Sequence, residues 1–526
     1  MRDFHLPGRS PVLAREGMAA TSHPLATLTA IETLKAGGTA ADAAVAAVAV
    51  LCVVEPHMTG IGGDCFCLIS KPGKPVWGYN GSGRAGAAAS TEALLAQGLT
   101  SIGMTSPHAV TVPGSVEAWE AILKAHGRFG LDRALQQAIH FAEQGFAVAP
   151  RVASDWALAV DRLRADPGAA RHYLFNGRAP AVGDVVKFPA LAKTLRAIAG
   201  QGPRAFYEGA IAEEMAATVA KRGAFLTADD FSRHRGNAVE PISSNYRGLD
   251  ILEIPPNGQG LTALVLLNIL ENFDLKGLDA VGADRFHLVL EAARMAFAVR
   301  DTHIADPDYM RVAVPALLDK AFAKKLAGKI DRTKRTQLPV APSPGNDTIY
   351  LTVVDRDRTA VSFINSLFSG FGTGICTEQG GILLNNRGAC FVVEQGHPNA
   401  FGANKRPMHT IIPGLAMRDG RCEMSFGVMG SHYQPMGHAQ LVVNMTDYGM
   451  DVQEAIDAPR VFFAGEQTVV EHGVSGAAVE GLRTRGHDVA VAAQPWGGAQ
   501  AIRIDWERGV LIGGSDPRKD GCALGY

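Results

Sequence analysis

The chain has 526 residues, a formal net charge of −2 and an isoelectric point near 6.8, with 47% hydrophobic and 19% charged residues. That is ample for a large core, and length alone would divide it into about two to four domains. The near-neutral charge and the lack of a dense Lys/Arg run give no electrostatic case for nucleic acid or an anionic membrane as partner.

The first residues, MRDFHLPGRSPVLAREG, contain no apolar stretch of the secretory kind. The longest apolar run, 43–54, has twelve residues, short of the roughly 20 that a membrane-spanning helix needs. Seven cysteines, Cys52, Cys65, Cys67, Cys376, Cys390, Cys422 and Cys522, are odd in number and scattered. They form no disulfide framework, and the lone Cys65-x-Cys67 has no second ligand pair for zinc. The expectation is a soluble, reduced, cytoplasmic protein with no metal and no cofactor.

Residues 21–54 read as two helices broken at Gly37 and Gly38, the second capped by Thr39 or Asp42. His23 precedes Pro24 and is biased towards extended backbone. The glycine-rich turn 55–64 (EPHMTGIGGD) leads into a strand at 65–70. Its Gly60-x-Gly62 lacks the rest of a nucleotide fingerprint, so close backbone approach is the better reading. A hairpin-like stretch then offers Arg84 at the end of the loop 79–84 (YNGSGR); arginine is the residue best suited to clamp a carboxylate. Amphipathic scaffold helices follow within 115–145 and 188–222. The loop 255–260 (PPNGQG) precedes a helix at 261–270, and another helix covers 291–300. No Gly-x-Ser-x-Gly elbow, phosphate loop or His-x-x-x-His helix occurs.

Residues 336–344 (TQLPVAPSP) read as an exposed linker. Residues 349–354 are rich in β-branched and aromatic side chains and read as a strand. Thr348 therefore sits where a loop enters a sheet. If the Asp347–Thr348 bond were cut, Thr348 would carry both a hydroxyl and a free α-amine, one form of an activated nucleophile. Further strands are expected at 360–366, 381–384 and 411–417, and helices at 435–445 and 451–458. A helical half that feeds a sheet and ends in helices implies sheet layers covered by helices on both sides.

Several blocks in order then become specific: AGGTAADAAVAA (36–47), GIGGDCF (60–66), HAVTVPGSVEAW (108–119), EAARMAFAVRD (291–301), DTIYLTVVDRD (347–357), GFGTGI (370–375), GILLNN (381–386), NKRPMHT (404–410) and GSDPR (514–518). Over its whole length the chain resembles the γ-glutamyltransferase family of N-terminal-nucleophile hydrolases. The resemblance implies an α/β fold, a four-layer αββα sandwich, made as one chain that cleaves itself between Asp347 and Thr348. Residues 1–347 would form the large part and 348–526 the small part of one domain. It implies Thr348 as nucleophile, with its freed amine, of pKa about 7.7–8.0, as base. It also implies Ser366 as a second hydroxyl on the neighbouring strand, and the backbone N–H groups of Gly430 and Ser431 as an oxyanion hole.

The substrate contacts depart from the family pattern. An aspartate after GILLNN and an amide residue three positions earlier ordinarily hold the α-ammonium; here they are Cys390 and Arg387. The asparagine after the second hydroxyl is Phe368, a pair of serines is His409 and Thr410, and the carboxylate-binding arginine is Ser82, with Arg84 two residues away. The stretch 391–404 is shorter than in members with a lid loop. An ammonium facing Arg387 would be repelled. Candidate substrate-binding residues are thus Arg84, Arg387, His409 and Thr410. The leading expectation is a self-processing amidohydrolase that hydrolyses or transfers an acyl group through an acyl-enzyme. Its substrate would be either a glutathione-like γ-glutamyl compound or a non-amino carboxylate amide of the oxamate type. The rival is an unprocessed binding protein of the same fold. The expected partners are a small amide and the chain's own cleaved fragment as heterodimer, with a dimer of heterodimers as the largest assembly.

Overall fold

The computed structural model describes residues 8–336 and 347–526; all but the first residue of the linker expected at 336–344 lies outside the described residues. Two seven-stranded sheets carry the fold, and within each every neighbouring pair is antiparallel. The first sheet runs, in spatial order, Cys522–Gly525, Met18–Thr21, Ile349–Val354, Ala360–Ser366, Asp64–Ser70, Trp77–Gly81, Asn237–Val239. The second runs Val12–Ala14, Val510–Ser515, Gly498–Asp505, Arg421–Met429, Gly414–Arg418, Leu249–Glu253, Ile242–Tyr246. Four strands matter most below: β1 (Asp64–Ser70), β2 (Ile349–Val354), β3 (Ala360–Ser366) and β4 (Arg421–Met429).

The sheets pack face to face. Thr352 Oγ1 in β2 donates to Ser425 Oγ in β4 at 2.7 Å, and Ser362 Oγ in β3 donates to the Phe426 carbonyl at 3.3 Å. Helices α1 (Pro24–Lys35) and α2 (Ala40–Val54) cover the outer face of the first sheet. Helices α3 (Gly260–Leu270), α4 (Ala283–His303) and α5 (Gln434–Thr446) cover that of the second. This is the expected αββα sandwich. Because β2 is covered on both faces, all six of its residues are buried and its apolar run shows no polar alternation.

Local chemistry explains most elements. The helices on either side of Gly37 and Gly38 form as expected, and Thr39 and Asp42 make a reciprocal capping box at the start of α2. The helix expected at 291–300 is the centre of the longer α4. The glycines of GIGGD allow close backbone approach: a Cβ on Gly62 would lie 2.0 Å from the Leu383 carbonyl oxygen.

Two strand expectations need correction. Residues 381–384 form no strand and make one isolated bridge, Leu383 to Cys376. Their backbone groups serve a glycine turn instead: Thr373 N–H donates to Leu384 O, and Leu384 N–H to Ile375 O. At 411–417 the strand starts only at Gly414. Side chains of His409 and Gln434 capture the N–H groups of Ile411 and Ile412, and Pro413 has none to give. The strands Ile242–Tyr246 and Leu249–Glu253 escaped the sequence reading. The first lies at the edge of its sheet, so its side chains alternate between half-buried and exposed and lack the apolar run of β2.

Candidate active site

Register builds the site. Strand β2 pairs with β3 so that Ile349 faces Asn365; one step back, Thr348 falls opposite Ser366, and Ser366 faces Asp64 in β1. Residues opposite one another share a face. Thr348 Oγ1 and Ser366 Oγ accordingly lie 2.8 Å apart, both buried. Ser366 Oγ also accepts from Phe368 N–H at 2.7 Å and from Arg387 Nη2 at 3.4 Å. With both lone pairs taken, its own hydrogen points at Thr348 Oγ1.

The same counting locates the second sheet's contribution. Thr352 meets Ser425, and a Cβ on Gly427 would lie 2.3 Å from the Tyr350 ring, so Tyr350 rests on Gly427. The two strands run in opposite directions across the interface, so the Thr348 end of β2 lies towards the C-terminal end of β4. There Gly430 (φ 126°) and Ser431 (φ 54°) turn the chain towards α5. Thr348 (φ 91°) and Phe368 (φ 86°) are also left-handed. For a β-branched threonine this is costly, and such strain collects at functional sites.

Arg387 is fully buried. Its Nη1 donates to Thr410 Oγ1 at 2.7 Å, and its guanidinium lies over the Phe368 ring, 4.3 Å from the centroid. No carboxylate among the described residues pairs with it, and its Nε has no hydrogen-bond partner. Burial pulls its pKa down, opposed by Cys390 and Asp64. Burial pushes the Cys390 thiol up, opposed by Arg387 and Arg300.

His409 is placed otherwise than a substrate ligand would be. Its Nε2 donates to Asp64 Oδ2 at 3.0 Å and its Nδ1 accepts from Ile411 N–H at 3.3 Å. Burial and the nearby Arg387 hold its pKa down to about 3 against the pull of Asp64. Both ring nitrogens of the neutral imidazole are therefore spent inside the fold. Arg84 is half-exposed and paired to Asp306 at 3.1 Å and to the Asn404 carbonyl at 2.9 Å. Among the described residues no contact joins it to Thr348, Ser366 or Arg387.

Asp347 borders a cavity of about 200 Å³ shared with His57, Asp155, Arg162 and Gly370. Burial raises its pKa to about 6, against the pull of Lys519, a Gly370 hydrogen bond and Arg162.

Three residues that the sequence reading passed over complete the site. Gln259 Nε2 donates to both the Thr410 carbonyl at 2.7 Å and the Ser431 carbonyl at 3.0 Å, while its Oε1 accepts from Arg300 Nη1 at 3.0 Å. Arg300 Nη1 also lies 2.9 Å from His432 Nδ1. The sequence held no distinguishing signal for Arg300, since α4 also buries Arg285, Glu291 and Arg294. Elsewhere His287, Glu291 and His487 cluster tightly enough for a metal ion, but Arg294, Arg335 and Arg485 act on His487 and oppose a cation there.

A buried threonine at a strand end, a second hydroxyl 2.8 Å from it, a left-handed backbone turn and a buried arginine suit acyl transfer. The comparisons agree. The Gamma-glutamyltranspeptidase family model matches residues 26–526. The chain is 37% identical to the glutathione hydrolase-like YwrD proenzyme of Bacillus subtilis and 37% identical to the oxamate amidohydrolase proenzyme of Klebsiella pneumoniae, in each case over 98% of this chain and 99% of the relative. A crystal structure of cephalosporin acylase from Bacillus halodurans superposes with a TM-score of 0.93 at 38% identity, covering 100% of this chain and 99% of that one. The chain is thus an enzyme of the gamma-glutamyltranspeptidase family, a family of hydrolases and acyltransferases with the N-terminal-nucleophile fold.

Proposed function

We propose that the chain matures by cutting itself before Thr348 and then hydrolyses, through a Thr348 acyl-enzyme, small amides whose acyl group bears a carboxylate and no α-ammonium. In the precursor, Thr348 Oγ1 attacks the Asp347 carbonyl carbon, the peptide nitrogen leaves as the Thr348 amine, and water hydrolyses the resulting ester. The left-handed Thr348 backbone supports this step, since cleavage relieves the strain. Residues 1–347 and 348–526 remain together as a heterodimer, and the relatives' names as proenzymes support that reading.

In the mature enzyme the α-amine takes the proton of Thr348 Oγ1, and Ser366 donates to the same oxygen. The attacked carbonyl becomes an oxyanion held by the N–H groups of Gly430 and Ser431. The amine then returns the proton to the departing nitrogen, and water resolves the ester.

The substrate class rests on one observation: among the described residues the buried Arg387 has no carboxylate partner. A buried unpaired charge is costly, and a substrate carboxylate supplies the missing anion, whereas an ammonium meets only repulsion. Two rate constants test this on processed protein: kcat/KM for oxamate and for γ-glutamyl-4-nitroanilide. Oxamate is expected to be the better substrate. Cleavage of the anilide at about 10⁴ M⁻¹s⁻¹ or more refutes the assignment.

A further inference from the structure

Next to the oxyanion turn sits a histidine whose tautomer the geometry dictates. His432 Nδ1 lies 2.9 Å from Arg300 Nη1. A guanidinium has hydrogens to give and no acceptor, so Nδ1 must be the bare, accepting nitrogen. The ring proton is then on Nε2. Burial, followed by the charges of Arg300 and Arg387, holds the imidazole well below its usual range, which favours the neutral ring. Among the described residues Nε2 has no hydrogen-bond partner, and the ring is only partly buried although Ser431 and Tyr433 on either side are buried.

The ring also packs against a residue that borders the Thr348–Ser366 pair. It stands edge-on to Phe368, with centroids 6.0 Å apart and planes at 90°. Phe368 carries Arg387 on its ring and donates its N–H to Ser366 Oγ. His432 and Arg387 thus flank one aromatic ring, and the backbone of that same residue bonds Ser366, the partner of Thr348 Oγ1.

We propose that His432 contacts the substrate as a fixed Nε2–H donor and, together with Arg387, restricts the acyl pocket to groups rich in acceptor oxygens. A pocket wall of two donors suits an oxamate-like group, a carboxylate next to a second carbonyl. It offers nothing to an ammonium. This inference rests on the substrate class proposed above and adds the residue that reads the second oxygen. The device requires Arg300, because a donor at Nδ1 is what keeps the proton on Nε2 and the ring uncharged.

Three proteins decide it: wild type, His432→Leu and His432→Gln, each followed through self-cleavage and assayed with oxamate and γ-glutamyl-4-nitroanilide. The leucine variant is expected to process normally and to lose about 10- to 100-fold in kcat/KM on oxamate, the range for one hydrogen bond to a charged group. The glutamine variant, which offers an amide N–H, is expected to recover part of that loss. A leucine variant with wild-type oxamate activity overturns the role of His432 and leaves the proposed substrate class standing. A wild type that prefers the anilide overturns both. A readout independent of turnover is the ¹⁵N spectrum of histidine-labelled protein, with the His432 signals identified by their loss in the glutamine variant. Shifts of an Nε2–H neutral ring, unchanged from pH 5 to 8, are expected; a ring that titrates near pH 6.5 refutes the fixed donor.

Discussion

The guanidinium of Arg387 donates to the hydroxyl of Thr410 at 2.7 Å, and among the described residues no carboxylate forms an ion pair with it. Under the proposed substrate class, an arginine held this way in the interior is a binding group kept at the expense of stability. Replacing Arg387 by Met should raise thermal stability, by about 1–3 kcal/mol, because an apolar side chain of similar length removes an uncompensated charge. The same change should cut kcat/KM for oxamate by about two to three orders of magnitude, through loss of the charge pair with substrate. Melting curves and oxamate kinetics on one preparation check both halves; a variant that is less stable refutes the account of the charge.

Maturation gives the simplest prediction. Wild-type chain should separate on a denaturing gel into residues 1–347 and 348–526, the smaller fragment beginning Thr-Ile-Tyr. Thr348→Ala should stay whole, because no hydroxyl remains to begin the acyl shift. A smaller fragment with a different first residue removes Thr348 from its role.

The oxyanion turn should be sensitive to Gln259. Its amide bonds both the Thr410 and Ser431 carbonyls, so Gln259→Met leaves the buried Thr410 carbonyl unpaired, reduces the Ser431 carbonyl to the Gln434 N–H alone and loosens the turn. We expect kcat to fall by about 10- to 100-fold, less than the loss of a whole oxyanion donor, with self-cleavage slowed as well. Unchanged kcat would mean that the turn is held by other contacts.

Stability should rise with pH between about 4.5 and 6. Burial depresses His23 to about 4 and His234, His409 and His487 to about 3. Unfolded, these rings bind protons below about pH 6.5, so their contribution is present above that value and is lost as pH falls. Glu55 and Asp347 act oppositely: burial raises them to about 7 and about 6, so the folded state keeps their protons and its advantage fades as pH rises. Over these six groups the histidines outnumber the carboxyls, the unfolded state holds more protons in this window, and stability rises with pH. Denaturant titrations at pH 4.5, 5.2 and 6.0 measure it on the uncleaved Thr348→Ala chain; a flat or falling series contradicts the balance.

The part of the site built on strand register was readable from the residues. The β-branched run after Thr348 announces β2, and once β2 and β3 are strands of one hairpin, Thr348 must face Ser366. The fate of the arginines was not readable. Arg84 and Arg387 look alike in the chain, both beside glycine and both candidates to bind substrate, yet one pairs with Asp306 near the surface and the other is enclosed. What separates them is the arrival of the 404–410 segment from far along the chain, which no local pattern encodes. Gln259, Arg300 and His432 were hidden for the same reason: each is defined by partners more than 40 residues away. The expected strand at 381–384 failed because glycine turns nearby took its backbone hydrogen bonds, a competition that β-propensity does not register.

Strand β2 is clamped between β3 and Met18–Thr21, and the latter is in turn bordered by Cys522–Gly525. The bed in which Thr348 lies is thus assembled from residues near 20, 350, 365 and 523. A growing chain cannot complete that bed until the strand Cys522–Gly525 has left the ribosome, so the proposed self-cleavage has a built-in clock: a product lacking that strand should persist uncut. The parts on either side of Thr348 are interleaved within both sheets, and after the proposed cut neither could be withdrawn without tearing the ladders of the other. Maturation of that kind is a ratchet, committing each pair of fragments to one another for the life of the molecule.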